Sequence, residues 1–177
     1  HFGDIGCPLT PAQTAELQGL DLALIPVGGF YTIGPREAKN LIETIRNKAR
    51  ANVKTIVLPE GDEPRTVVAG ATVVREGLAK PILLGDPAKI RAVAAARGVD
   101  LAGVALVDPA TSEKAAAYAR TLFELRKAKG VTEAKAAELV ADPMYFGILM
   151  VKAGDADGLV SGAVHSTGDM LRPALQV

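Results

Sequence analysis

The amino-acid sequence predicts an α/β fold with three layers, α/β/α, and a mostly parallel sheet that is truncated at the C-terminus. From Lys54 onward, short runs of Val, Ile and Leu alternate with longer segments of helical periodicity. The short runs are almost continuously apolar, as is typical of strands that are covered on both faces. Pro begins most of the helical segments and Gly ends several of them, so the elements are clearly separated.

The elements follow one another in a regular order. Strands are predicted at residues 55–58, 81–84 and 104–107, and a fourth, buried strand is predicted at residues 159–164. Helices are predicted to begin at Pro35, Pro64, Pro87, Thr132 and Pro143, and another follows the loop after His165. Asp86, Asp108 and Asp142 each precede a Pro, a pairing in which the Asp caps the helix that the Pro begins.

Composition excludes several classes of protein. The 177 residues include 20 basic and 20 acidic side chains, so the net charge is zero. Proteins that bind nucleic acids or membrane surfaces usually carry a basic excess, and we expect neither partner here. Cys7 is the single cysteine and cannot form an internal disulfide, which fits a reducing cytoplasm. No apolar run reaches the roughly 18 residues of a membrane span.

The candidate functional stretch is DGLVSGAVHSTGDMLRPALQ, near the end of the chain. An apolar run, a loop of small residues and a helix start suit the binding of an anion at the carboxyl end of a strand. Gly162 and Gly168 allow close approach of the backbone, Ser166 and Thr167 offer hydroxyl groups, and Arg172 offers a planar guanidinium. A strand–helix turn without any ligand explains the spacing equally well.

Two arginines and a third hydroxyl complete the candidate site. Arg172 is predicted near a helix N-terminus, where a cation is unfavourable unless an anion binds nearby. Arg126 ends a helix, where the macrodipole alone accounts for a cation. For Ser161 we favour packing, and for Ser166 and Thr167 ligand contact. His165 at a strand end is more typical of hydrogen-bonded structure than of a base.

These motifs resemble a known family. The same stretch, together with the blocks KTIVLPEGDEPRT, GLAKPILLGDPAKI, FELRKAKGVT and DPMYFGILMVKAGDADGLVSGA, is similar to the first third to half of phosphate acetyltransferases. The resemblance covers about residues 44–177. It implies an acyltransferase that converts acetyl-CoA and phosphate into acetyl phosphate and coenzyme A, with coenzyme A as substrate and no cofactor. The arginines in the ELRK and LRPA blocks, Arg126 and Arg172, are implicated in coenzyme A or phosphate binding.

The resemblance also sets expectations for the whole enzyme. Members of the family are cytoplasmic and generally homodimeric. The family's catalytic Ser, Arg and Asp are expected in the part that follows this chain, so no catalytic residue is assigned here. We therefore expect weak or absent turnover from these 177 residues alone.

Residues 1–38 resemble a different family. HFGDIG, LTPAQ and DLALIPVGGFYTIGPREA are similar to a fragment of a metal-dependent hydrolase of the metallo-β-lactamase superfamily. In that family the Asp of the H-x-G-D motif bridges two metals, which implies Asp4 here. The chain has only two His, His1 and His165, too few for such a site, and no metal is expected. The predicted domains are therefore residues 1–43 and 44–177. A metal-dependent hydrolase and a non-catalytic chimeric fragment are the alternatives.

Overall fold

The computed structural model describes residues 35–177, apart from the side chains of Pro35 and Glu37. The chain divides into two compact units, His1–Asn52 and Val53–Val177. Helix α1, Pro35–Ala51, belongs to the first unit and begins at the predicted proline. It runs across the predicted domain boundary between residues 43 and 44. The predicted elements before residue 35 lie outside the described residues.

The second unit is built on a parallel sheet with the order β3-β2-β1-β4. Its strands are β1 (Lys54–Leu58), β2 (Ala79–Leu84), β3 (Ala105–Val107) and β4 (Gly158–Leu159). The register pairs Val57 with Ile82 on one side and with Leu159 on the other. The prediction of a parallel sheet is confirmed.

Six helices connect and cover these strands. They are α2 (Pro64–Arg75), α3 (Pro87–Arg97), α4 (Ala115–Arg126), α5 (Glu133–Val140), α6 (Pro143–Ala153) and α7 (Thr167–Gln176), and a short 3-10 helix, Lys127–Lys129, follows α4. No helix in the described part of the chain is both long and apolar enough to cross a membrane.

Two hydrophobic cores lie on opposite faces of the sheet. Leu83 and Leu84 are neighbours in β2, so their side chains point in opposite directions. Leu83 packs in one core with Val67 of α2 and Ile90 of α3. Leu84 packs in the other core with residues of α4, α5 and α6, among them Phe146. Helices therefore cover both faces, and the predicted α/β/α layering is confirmed.

Local capping signals explain most helix boundaries. Asp86 and Asp142 accept hydrogen bonds from the first backbone amides of α3 and α6, as predicted. The same prediction is wrong for Asp108. Its carboxylate accepts a hydrogen bond from the amide of Ala110 at 2.9 Å within a turn, and α4 begins only at Ala115. The Asp-Pro pair thus closes a local turn here instead of starting a helix.

The predicted fourth strand is shorter than expected. Only Gly158 and Leu159 pair with β1, and the last backbone contact is donated by Val160 to Val57 at 2.9 Å. Gly162 has a φ of 121°, which turns the chain away from the sheet. Val164, which the strand would bury, is 67% exposed.

Candidate functional site: a carboxylate-held loop beside two arginines

The loop between β4 and α7 is held by one buried side chain, Glu60. This residue follows β1 and is only 4% exposed. Its Oε2 accepts hydrogen bonds from the amides of Gly162 at 3.0 Å and Ala163 at 2.8 Å. Its Oε1 accepts from the amides of Val164 at 2.9 Å and His165 at 2.8 Å. Four consecutive amides thus surround one carboxylate.

The His165 side chain joins the same carboxylate. Its Nδ1 lies 2.8 Å from Glu60 Oε1. Because an ionised carboxylate can only accept, Nδ1 carries the hydrogen in this arrangement. The expectation that His165 is hydrogen-bonded structure is confirmed.

The charge of Glu60 is stabilised by these contacts. Burial by itself raises the pKa of the carboxyl group, because it removes water from the charged form. Hydrogen bonds from the backbone of His165, Val164 and Ala163 and from the His165 ring outweigh burial, and they lower the pKa from 4.5 to about 2. Glu60 is therefore a fixed negative charge at neutral pH.

This lowered pKa predicts a pH-dependent stability. A carboxyl group with a depressed folded pKa stabilises the fold above its unfolded pKa, and that stabilisation disappears as the pH falls through the folded value. The Glu60 contribution should therefore be complete above pH 4.5 and be lost between pH 4.5 and about pH 2. Urea unfolding at about pH 7 and about pH 3 should show this loss in the wild-type chain.

Two variants isolate the contribution of Glu60 from that of other acidic groups. Glu60→Gln cannot titrate, so it should be less stable at neutral pH and should lose less stability on acidification. Glu113 is exposed and has no hydrogen-bond partner within residues 35–177, so Glu113→Gln should keep the wild-type pH dependence. Equal acid sensitivity of Glu60→Gln and the wild-type chain would contradict the assignment.

The β1–α2 segment holds the loop at a second point. Arg65 Nη2 donates to the carbonyl oxygen of Ala163 at 2.7 Å. The Nε of the same arginine donates to Glu63 Oε1 at 2.7 Å, and Glu63 also caps α2 by accepting from the amides of Arg65 and Thr66. Glu60 therefore binds four backbone amides of the loop and Arg65 binds one of its carbonyl oxygens, and both side chains follow β1.

This geometry changes the sequence-based interpretation of the loop. Gly162 was expected to let the backbone approach a ligand, but its amide and the next three amides already donate to Glu60. The helix start itself is confirmed, with Ser166 as the N-cap of α7. Ser166 Oγ accepts from the amide of Asp169 and donates to its carboxylate at 2.6 Å. The Ser166 hydroxyl is thus engaged in capping.

The other two predicted hydroxyl groups lie on either side of the loop's bound amides. Thr167 is exposed at the first turn of α7. Ser161 Oγ is buried and has no hydrogen-bond partner within the described residues.

Arg126 and Arg172 both lie near Tyr145. Tyr145 is 8% exposed and its hydroxyl donates to Gln176 Oε1 at 2.6 Å, which connects α6 to the end of α7. Burial raises the pKa of Tyr145 and the negative charge of Asp142 adds to the rise, whereas the positive charges of Arg172, Arg126 and Lys135 act against it. Two guanidinium groups from α4 and α7 therefore act on the same phenol.

Neither arginine forms an ion pair within the part of the chain that the structure describes. Arg126 is half-buried, and its Nε is inaccessible and has no hydrogen-bond acceptor there. Arg172 is exposed and forms no ion pair between residues 35 and 177, although its charge helps to lower the pKa of Asp169 one helical turn earlier. An unpaired buried donor costs about 1–3 kcal/mol, so such groups usually have a ligand or a structural reason.

Glu60 and Tyr145 are the residues that sequence reasoning missed. From the sequence alone, a Glu at a strand end is more typical of a turn than of a cleft, and nothing singled out Tyr145. The only signal for Glu60 was its position, between an apolar strand and a Gly. Within residues 35–177 no cluster of three His, Cys, Asp or Glu residues could hold a metal ion. His1 and Asp4 lie outside the described residues.

The sheet and the charged groups at the carboxyl ends of its strands define an open parallel α/β enzyme architecture. Comparison with known proteins specifies it further. Residues 40–177 match the family model described as phosphate acetyl/butaryl transferase, and the chain belongs to that family. Residues 1–50 match a model described as a beta-lactamase superfamily domain, in agreement with the second resemblance.

Individual relatives agree with this assignment. A phosphate acetyltransferase of Thermoanaerobacterium thermosaccharolyticum is 51% identical over 138 residues. The match covers 78% of this chain and 42% of that relative. The chain therefore spans less than half the length of this curated relative.

Solved structures show the same fold. The EutD phosphotransacetylase from Staphylococcus aureus has a TM-score of 0.72 and 42% sequence identity. A phosphotransacetylase from Streptococcus pyogenes has a TM-score of 0.74 and 37% identity. Each match covers 78% of this chain and 42% of the solved chain.

Proposed function

We propose that this chain forms the coenzyme A-binding part of a phosphate acetyltransferase site. The observation that supports this proposal is the pair Arg126 and Arg172, which both act electrostatically on Tyr145 and form no ion pair in residues 35–177. Two planar guanidinium groups suit the phosphate groups of coenzyme A, because each can form paired, charge-assisted hydrogen bonds. Membership of the transferase family supports this choice of anion.

The reaction of the whole site joins two substrates. An oxygen of inorganic phosphate attacks the thioester carbonyl of acetyl-CoA, the carbon–sulfur bond breaks, and the sulfur leaves as a thiolate that takes up a proton. The products are acetyl phosphate and coenzyme A. Such a step needs donors for the developing oxyanion and a group that protonates the thiol. No residue of this chain is assigned to either task, so turnover by the chain alone should be weak or absent.

The binding proposal predicts a loss of affinity on removal of either arginine. Calorimetric titration with coenzyme A should show binding to the wild-type chain. Arg126→Ala and Arg172→Ala should each weaken it about 10- to 100-fold, the equivalent of one charge-assisted hydrogen bond. The phosphate-free fragment pantetheine should bind weakly and equally to all variants.

Arg120→Ala is the matched control. Arg120 is exposed on the same helix as Arg126 and is not among the charges that act on Tyr145. The Arg120→Ala variant should bind coenzyme A with the same affinity as the wild-type chain. Equal affinities for all three variants would refute the proposed role of the two arginines. Rapid phosphate-dependent thiol release by the chain alone would refute the proposal of weak turnover.

The remaining partners follow from the same proposal. Acetyl-CoA and inorganic phosphate are the substrates, with no separate cofactor and no nucleic-acid or membrane partner, which the zero net charge supports. A cytoplasmic location is supported by the single Cys7. A homodimer is supported by exposed apolar side chains at α7, Leu171 and Leu175, and light scattering of the purified chain tests it.

A further inference from the structure

We propose that Glu60 is a positioning residue: by fixing the 162–165 loop it sets the first turn of α7, and thereby the place of Arg172. The inference rests on the proposed function, because its consequence is an effect on coenzyme A affinity. Glu60 itself does not touch the ligand in this account. It acts through the backbone that leads into α7.

The loop depends on Glu60 because no regular structure holds it. The last ladder contact of the sheet is made by Val160, and α7 begins at Thr167. Between them, the four amides of residues 162–165 all donate to the one carboxylate. Consecutive amides that converge in this way form a concave anion site, and here the anion belongs to the protein.

The position of α7 follows from contacts near its two ends. At its beginning, His165 is bound to Glu60 and the next residue, Ser166, is the N-cap. At its end, Gln176 accepts from Tyr145 of α6. Arg172 lies between these two points. Loss of the first contact leaves α7 held mainly at its far end, so Arg172 can move relative to Arg126.

The chemistry of the loop excludes an easy substitute for the carboxylate. A glutamine has the same shape but offers one acceptor oxygen in place of two, and its NH2 group would face amide donors. Buried amides without acceptors are costly, so the loop should rearrange to reach water. Glu60→Gln should therefore change the loop even though the volume is preserved.

Asp157 offers a matched control for this substitution. Its carboxylate also connects the chain after α6 with β1, through the amide of Thr55 at 2.8 Å and Lys54 Nζ at 3.3 Å. These contacts lie at the opposite end of β1 from Glu60. Asp157→Asn thus removes a bridging carboxylate of similar sequence separation without touching the loop.

The experiment compares hydrogen exchange and coenzyme A affinity in these variants. In Glu60→Gln, the hydrogen-bonded amides of residues 162–165, 169 and 170 should exchange about tenfold faster or more, and coenzyme A should bind about tenfold more weakly. Asp157→Asn should leave both within about twofold of the wild-type values. Glu60→Asp keeps the charge on a shorter side chain, so its exchange rates and coenzyme A affinity should lie between those of the wild-type chain and Glu60→Gln. It provides a second variant if Glu60→Gln does not fold.

A double variant separates positioning from general destabilisation. If Glu60 acts through Arg172, then Glu60→Gln combined with Arg172→Ala should bind coenzyme A no more weakly than Arg172→Ala alone. Additive losses would overturn the inference, since a purely structural effect would weaken both variants independently. Unchanged exchange of the amides of residues 162–165, 169 and 170 in Glu60→Gln would overturn it as well.

Failure of the proposed coenzyme A binding can be distinguished from failure of the proposed positioning role of Glu60. Absence of coenzyme A binding by the wild-type chain would refute the proposed function. Exchange at residues 169 and 170, the first amides of α7 that donate to Ser166, would then still decide the positioning role, because it does not require a ligand. Faster exchange at residues 162–165 with unchanged exchange at residues 169 and 170 would overturn the link from the loop to the helix.

Discussion

Gly61→Ala is expected to lower the free energy of unfolding of the Val53–Val177 unit by about 3 kcal/mol or more. A Cβ at this position would lie 2.3 Å from the carbonyl oxygen of Leu84, 2.9 Å from its amide nitrogen and 3.0 Å from its carbonyl carbon. All three are backbone atoms at the end of β2, so no side chain can rotate away. The ends of β1 and β2 would have to separate.

A glycine is required here because there is no space for a Cβ, and not because of the backbone torsion angles. Gly61 does not have a positive φ, so alanine could adopt its backbone conformation. The amide of Gly61 also donates to the Leu84 carbonyl at 3.1 Å, which draws the two chains together. Separation of the chains would break that bond and displace the neighbouring Glu60 from the loop. Coenzyme A affinity should therefore fall along with stability.

Urea unfolding followed by circular dichroism measures the effect, and Gly70→Ala controls for it. A Cβ at Gly70, inside α2, would lie 3.5 Å from the nearest atom of the Leu83 side chain, an ordinary contact. Alanine is the better helix former by about 1 kcal/mol, so this variant should be unchanged or slightly more stable. A wild-type urea midpoint for Gly61→Ala would show that the close approach to β2 does not constrain the fold.

Most of the fold could be predicted because its signals are local. The caps at Asp86 and Asp142 act on amides two or three residues away, and the sequence displays them directly. Asp108 shows the limit of such signals. The same Asp-Pro pair closes a turn there, and the choice between turn and helix depends on where the following residues pack.

The site was harder to predict because its key contacts are distant along the chain. Glu60 and the amides that it binds are separated by 102 to 105 residues. No periodicity or spacing encodes such a contact. A strand at residues 159–164 was predicted from apolar composition, but the carboxylate and the Gly162 turn provide an alternative path that composition does not reveal. Arg126 and Arg172 were singled out from the sequence as candidate ligands of coenzyme A or phosphate, whereas Tyr145, on which both charges act, becomes visible only when α4, α6 and α7 are placed together.

Phe146→Ala is expected to lower the free energy of unfolding by about 3–5 kcal/mol, the usual cost of removing a buried aromatic ring. Phe146 is 1% exposed and lies in the core that includes Val57 and Leu84. Its ring meets that of Tyr118 edge to face, with centroids 5.0 Å apart and an interplanar angle of 70°. Such a pair adds about 0.5–1.5 kcal/mol to the burial itself. No neighbouring side chain can fill the space without leaving its own contacts.

Phe123→Ala provides the comparison, because the chemistry is the same and only burial differs. Phe123 is partly buried at the margin of the same core, so the stability lost in Phe123→Ala should be clearly smaller than in Phe146→Ala.

Phe146 is also the neighbour of Tyr145 in α6, whose backbone amide donates to the capping Asp142 at 3.2 Å whether or not the Phe146 ring is present. A folded Phe146→Ala chain should therefore retain the start of α6 and bind coenzyme A with nearly wild-type affinity at low temperature. Equal destabilisation by the two variants would contradict the central place of Phe146 in the core. A large loss of affinity without loss of stability would instead show that the ring, and not the cap, keeps Tyr145 beside the two arginines.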